Sequence, residues 1–339
     1  MDTVNIIDEN GNAVNGIIEN KKINFNYKDY RLRDFFDKEV KGIKKRFKFH
    51  HFNYYGFLSD NYILAFAVVD LGYIRSIFIY LYDFNGKFLM KTEKKILPLS
   101  KKLRFPANLD NYTVKYKSKD GFLVVTKDFF DSLLSVSAEF KNLTFNFNVN
   151  YGIKNSPLKV VIPAGHNGWT FTEKCSNIND FNEIYVNYKG KELDFTNASL
   201  VYDWSGGYLK RETNWVWVSF SGISDNNSVG ANFAAMVNET YETENIYWIN
   251  KKAFKKGAIL FNYDKDALYN SWKISNADKT VEIEFFPRDE INDNTNMYIV
   301  KNSFRQFMGK FSGYVLDENN KKVEFRDITG VAEIHKALW

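Results

Sequence analysis

The segment Tyr202-Asp203-Trp204-Ser205-Gly206-Gly207-Tyr208, continued by Arg211, Thr213, Trp215, Trp217 and Ser219, is the densest gathering of chemically capable side chains in the sequence. Alternation along a strand sends every second side chain to one face. Arg211, Thr213, Trp215, Trp217 and Ser219 therefore share a face, while Val216, Val218 and Phe220 share the other. The apolar face suits packing against another element. A face that mixes a cation, hydroxyls and two indoles suits the wall of a small-molecule site in a barrel mouth or lumen. A structural reading competes, because tryptophan pairs also fill cores and an Asp203–Arg211 pair near a turn is often only an ion pair.

Three further groups carry polar chemistry. Glu333 and His335 fall on one face of a C-terminal strand, where a carboxylate orients an imidazole or raises its pKa. His166 lies between Gly165 and, two residues on, Gly168, followed by Trp169; a loop histidine there is placed for general acid or base work, or equally for capping a turn. Glu244 and Asn245 set a carboxylate and an amide ahead of Tyr247 and Trp248. Familiar chemistries are missing: there is no Walker loop, no G-x-G-x-x-G after a strand, no H-E-x-x-H and no G-x-S-x-G elbow. With 4 His and 1 Cys, a closed zinc site is not expected, and His50 and His51, adjacent in a strand, point to opposite faces. Asp8, Asn10, Asn12 and Glu19 match the spacing of an EF-hand loop, but Ala13 stands where its turn needs glycine, so a hairpin turn is expected. No metal and no cofactor are expected.

The elements that must position these groups are mostly β. Of 339 residues 17% are aromatic, with 31 Phe, 21 Tyr and 7 Trp, a composition that fits pleated, half-buried surfaces. Hydrophobic residues at 45% supply a large core and exclude a disordered chain. Asp29 to about Arg46 carries Leu32, Phe35, Phe36, Val40 and Ile43 at helical spacing, which predicts one short N-terminal helix near 29–46. Phe145-Asn-Phe147-Asn-Val149-Asn alternates strictly, the pattern of a half-buried strand. Many short strands bounded by turns predict two antiparallel barrels or, alternatively, two sandwiches. Pro157 and Pro163 bracket the midpoint and suggest a division into 1–160 and 161–339. A weak repeat agrees: Ser59-Asp60-Asn61, then Phe66 and Phe88, is echoed by Ser224-Asp225-Asn226, then Phe233 and Phe254, offset by half the chain.

Charge and address narrow the partners. A formal charge of +5 is mildly basic and scattered, so no nucleic acid partner is expected. The run from Lys41 to Lys48 reads as the solvated end of a helix. No stretch has the roughly 18 apolar residues of a membrane helix, the N-terminus shows no signal pattern, and Cys175 alone forms no internal disulfide. A cytoplasmic location without integral membrane association is the expectation; oligomeric state is not legible.

Tyr151-Gly152, the Asp203 to Trp217 strand, Glu244-Asn245, Trp272, Phe286-Pro287, Phe307-x-Gly309-x-Phe311-Ser312-Gly313 and Gly330-x-Ala332-Glu333-x-His335…Trp339 together resemble the bacterial family called domain of unknown function 2804. The resemblance spans essentially the whole chain, with the specific motifs in its C-terminal half. The family's usual closing Arg-Trp is Leu338-Trp339 here. It is similar in turn to the wider group of double-barrel, lipocalin-like (calycin) proteins, which includes carotenoid hydratases, tocopherol cyclase and pericyclase-type enzymes. That resemblance implies two tandem lipocalin-like barrels and transfers no catalytic residue.

The leading expectation is binding of a small apolar or aromatic molecule where the halves meet. Trp169, Tyr208, Trp215 and Trp217 would form the wall, with Arg211, Thr213, Asn245 and Glu333 among the polar contacts. The alternative is a cofactor-independent hydratase, isomerase or cyclase, with Asp203, Glu244, His166 or His335 moving the proton. A second alternative, a carbohydrate-binding or glycosidase-like module, draws on the same tryptophans and carboxylates.

Overall fold

In the computed structural model, which describes residues 2–19, 21–97, 100, 102–104, 109–237, 242–297 and 300–339, turn signals and alternation resolve into three large antiparallel sheets. The central sheet has 8 strands, in the order Gly16–Ile17, Leu158–Pro163, Trp169–Ile178, Ser199–Tyr208, Phe49–Leu58, Tyr62–Asp70, Arg75–Asp83, Lys87–Ile96. An outer sheet of 7 strands runs from Lys191–Glu192 through Leu143–Asn150 to Leu103–Arg104. A C-terminal sheet of 9 strands runs from Lys252–Lys255 through Glu212–Ser224 and Lys322–Leu338 to Leu260–Asn262. The sheets curl as half-barrels, the all-β architecture that the aromatic composition and turn spacing predict.

Each sheet buries side chains by strand parity. In Leu143–Asn150 the odd residues Phe145, Phe147 and Val149 are buried against the central sheet, and Phe147 stacks on Phe57 with ring centroids 3.6 Å apart. Val216, Val218 and Phe220 turn into the hollow of the C-terminal sheet with Phe285, Phe307 and Phe311. A third core joins the central and C-terminal sheets through Tyr54, Ala65, Tyr80, Val201, Trp217, Met308 and Val331. Hydrogen bonds from Thr329 Oγ1 to the Ser59 carbonyl (2.8 Å) and between the Ser176 and Ser219 hydroxyls (2.6 Å) cross the same junction.

Two expectations change. The helix expected near 29–46 is a single α segment, Gly42–Phe47, after a 3-10 turn at Tyr27–Asp29. Local side-chain bonding wins over apolar spacing: Asp34 Oδ1 accepts the backbone N–H groups of Phe36 and Lys38, and Asp37 takes a positive φ. Phe35 is left 92% exposed and Phe36 76% exposed, so the spacing never becomes a buried face. The division near 160/161 falls inside the central sheet. Strands Leu158–Pro163, Trp169–Ile178 and Ser199–Tyr208 join Phe49–Leu58 by register, and the chain changes sheet between Tyr208 and Glu212. The two copies of the repeat both sit at hairpins, Ser59–Asn61 between paired strands and Ser224–Asn226 likewise.

The N-terminal core encloses an ion pair. Lys127 Nζ lies 2.7 and 2.9 Å from the Glu173 carboxylate oxygens, and both side chains are buried. Tyr151 donates its hydroxyl to the same carboxylate. Burial opposes ionisation of Glu173, but Lys127 and Lys159 outweigh it and hold its pKa below the ordinary value. Burial lowers the Lys127 pKa, with Glu173 opposing. Removing one partner leaves a buried, uncompensated charge. Lys127→Met is expected to cost about 3–5 kcal/mol in urea unfolding, and Lys127→Met with Glu173→Gln to recover much of it. Equal losses in the single and double variants would contradict a paired charge.

Candidate functional site

The junction between the central and C-terminal sheets holds a cavity of about 710 Å³. Register explains its wall. Across the central sheet Lys174, Asp203, Tyr54, Ala67, Phe78 and Glu93 lie opposite one another in succession, and all six line the cavity. The C-terminal sheet supplies two such rows, Trp215–His335–Phe304 and Trp217–Glu333–Gln306–Ile291. His50, Phe52 and Trp339 complete one end. Their ring contacts are close, with Trp339 centred 4.5 Å from His50 and 6.0 Å from Phe52.

Two polar clusters interrupt this aromatic lining. In the first, Lys174 Nζ lies 2.5 Å from Asp203 Oδ2 and 2.9 Å from Glu244 Oε2. Ser205 Oγ donates to Asp203 Oδ1 at 2.9 Å. Burial raises the Asp203 pKa; Lys174 opposes the rise and the Glu244 carboxylate adds to it, leaving the value above the ordinary one. Burial works against the Lys174 ammonium, yet Asp203 and Glu244 together hold its pKa above the ordinary lysine value. One ammonium faces two carboxylates, so the cluster lacks a counter-charge.

The second cluster is a relay. Tyr54 and Tyr80 hydroxyls are 3.0 Å apart, Tyr80 donates to Gln306 Oε1 at 2.8 Å, and Gln306 Nε2 donates to Glu333 Oε2 at 3.0 Å. Trp215 Nε1 donates to Glu333 Oε1 at 2.7 Å. His335 Nδ1 is 3.6 Å from that oxygen, and its ring lies 4.1 Å from the Trp215 ring. His335 Nε2 is 2.5 Å from Asn302 Oδ1. Burial lowers the His50 pKa to about 4, so its ring is neutral at physiological pH.

Six of the residues named from the sequence meet in the cavity wall: Asp203, Glu244, Glu333, His335, Trp215 and Trp217. The others lie elsewhere. Trp169 and Tyr208 face the opposite side of the central sheet, in the core with Phe25 and Tyr30. Arg211 does not pair with Asp203; its Nη1 donates to the Trp339 carbonyl at 2.8 Å. Thr213 accepts from Trp339 Nε1 at 3.2 Å, which makes it a support for a lining residue. Asn245 accepts from the Ala234 N–H (2.7 Å) and donates to the Gly257 carbonyl (2.9 Å), so it clips the backbone beside Glu244. His166 is exposed in its loop and is not among the lining residues. Gly207 serves close packing, since a Cβ there would sit 2.0 Å from the Trp169 carbonyl oxygen. Tyr54, Phe52, Phe78 and Gln306 carry no signal of their own in the sequence, and Trp339 stands out there only as the end of a family motif, not as a site residue. Lys174 is not read there as a site residue either; the adjacent charges Glu173-Lys174 inside an apolar strand are its available signal.

Among the described residues, no group of three or more His, Cys, Asp or Glu could hold a metal ion. No helix among them is long and apolar enough to cross a membrane.

Curled sheets around a cavity at their junction define the class: an all-β protein with an internal cavity. The chain belongs to the family described as Domain of unknown function (DUF2804), whose model matches residues 1–339. No curated protein matches the sequence significantly. Among solved structures, CghA crystallised with Sch210972 is similar at a TM-score of 0.55 and 9% identity, over 84% of this chain and 88% of that one. A second CghA structure gives a TM-score of 0.51 and 8% identity over 98% and 96%. At such identities the likeness is one of fold.

The Lys174 cluster makes a pH-dependent prediction. A carboxyl whose folded pKa is raised contributes stability that is complete below its ordinary value and lost as pH rises through the raised one. Lys174→Met leaves Asp203 and Glu244 without their shared cation and should cost about 3–5 kcal/mol at pH 8. The deficit should shrink toward pH 5 as Asp203 takes up a proton. Urea midpoints across that range check this; a deficit independent of pH would count against the shared cation.

Proposed function

We propose that this protein binds a small, largely apolar or aromatic molecule in the cavity between the central and C-terminal sheets. The observation that carries the reading is the cavity itself. Its volume of about 710 Å³ lies within the range typical of ligand sites, roughly 300–1,000 Å³. Apolar walls with a few convergent polar groups are the usual composition of such sites, and Phe52, Phe78, Trp215, Trp217, Phe304 and Trp339 supply the apolar part. The CghA structure with Sch210972 adds the precedent of a similar fold crystallised with a small molecule.

A second reading, proton-transfer catalysis of the hydratase, isomerase or cyclase kind, is favoured by Asp203. This carboxyl is raised in pKa, lines the cavity and shares one cation with Glu244. A carboxyl kept protonated nearer neutral pH is what general acid work asks for. Binding and catalysis use the same cavity and separate on turnover of the bound molecule.

Filling the cavity tests the binding reading. The neutral fluorescent probe N-phenyl-1-naphthylamine should bind with one site per chain. Ala67→Trp, placed in the wall, should weaken it by about tenfold or more while urea unfolding stays cooperative. Unchanged affinity in a folded Ala67→Trp protein would place the probe elsewhere. If the protein also converts the molecule it retains, Asp203→Asn should slow conversion by roughly 10²–10⁴-fold; an undiminished rate would remove Asp203 as the acid.

A further inference from the structure

The buried charges of the cavity wall do not balance. Lys91, Glu93, Lys95, Asp293 and Lys301 lie at the exposed rim, where water screens them. Inside, Asp203, Glu244 and Glu333 face Lys174 and the imidazole of His335. Glu333 is held by Trp215 and Gln306, two neutral donors that stabilise its charge without cancelling it. Asn302 fixes the His335 tautomer. Its Nδ2 donates to Asp293 Oδ2 at 3.2 Å, which leaves Oδ1 to accept from Nε2–H of His335. With His335 protonated, three carboxylates still outnumber two cations; with it neutral, they outnumber one.

Hydrogen-bond direction points the same way. Gln306 donates through Nε2 to Glu333, so its Oε1 takes the Tyr80 proton. Tyr80, having donated that proton, accepts the one from Tyr54. Tyr54, opposite Asp203 across the strand pair, is left presenting lone pairs rather than a donor. The polar groups beside the aromatic wall therefore present acceptors and excess negative charge. Indole and phenyl faces at Trp215, Trp217, Phe52 and Phe304 favour cations as well.

Taking the cavity as a ligand site, we infer that its ligand carries a protonated amine on the apolar or aromatic body, seated between Tyr54, Asp203 and Glu244. The ammonium supplies the donors that Tyr54 and the carboxylates lack and the positive charge that Lys174 alone does not provide. The aromatic body occupies the remaining wall.

Three probes of nearly equal shape test this at pH 8 by titration calorimetry: 2-(2-naphthyl)ethylamine, 2-(2-naphthyl)ethanol and 2-naphthylacetate. The amine is expected to bind about tenfold or more tighter than the alcohol, with the acetate weakest. Asp203→Asn and Glu244→Gln should each shrink the ratio of amine to alcohol affinity, a readout that general loosening of the cavity would not move selectively. Alcohol or acetate binding as tight as the amine overturns the inference and leaves the binding reading standing. Failure of all three to bind a cooperatively unfolding protein overturns both.

Discussion

The middle strands of the central sheet are buried on both faces, and the rest of the molecule follows from that constraint. An antiparallel sheet with one wet face alternates apolar and polar residues; one covered on both sides must assign every residue to a core. Trp169–Ile178 is buried along its whole length. Its odd members Trp169, Phe171 and Cys175 join the N-terminal core, while Thr170, Thr172 and Lys174 face the cavity. A shift of one residue would exchange the two sets, carrying Lys174 into the aromatic core and Trp169 out of it. The polar pairs pin the register: Glu173 meets Lys127 on one side, and Lys174 meets Asp203 and Glu244 on the other.

The same alternation separates residues that look like partners in sequence. His50 packs on Trp339 at the cavity, whereas His51 packs on Trp204 in the opposite core, where burial lowers its pKa to about 3. Tyr54 opens the relay toward Glu333, whereas Tyr55 bonds Tyr112 in the N-terminal core at 2.6 Å. Polar groups thus form two buried networks back to back, one closed by packing and one open to the cavity. In the closed network Lys127 and Glu173 match in charge. In the open one, carboxylates exceed cations, and that imbalance is the chemical character a ligand would meet.

Much of this was legible from parity alone. Val216, Val218 and Phe220 against Trp215 and Trp217 is a separation that the pleat dictates, and the structure places one set in the C-terminal core and the other along the cavity. What sequence could not supply was pairing between distant strands. Asp203 reads beside Arg211 in the chain, but register sets it opposite Lys174 and leaves Arg211 holding the Trp339 carbonyl. Trp169 and Tyr208 have the right residue types on the wrong face of the sheet. Apolar spacing between Asp29 and Arg46 suggested a helix because it ignores what Asp34 does to the backbone around it. The proline-bracketed midpoint is a strand of the central sheet, Leu158–Pro163, since later strands return to pair with it and with Phe49–Leu58.

The central claim is that the junction of the central and C-terminal sheets is where this protein meets a small molecule. A crystal structure of the protein purified from the organism that makes it, with whatever molecule it retains, tests this most directly. Density is expected for an apolar or aromatic skeleton between the sheets, against Trp217 and Phe78 and beside Asp203. A retained molecule on the outer sheet, or a cavity filled with water while the molecule lies elsewhere, would contradict it.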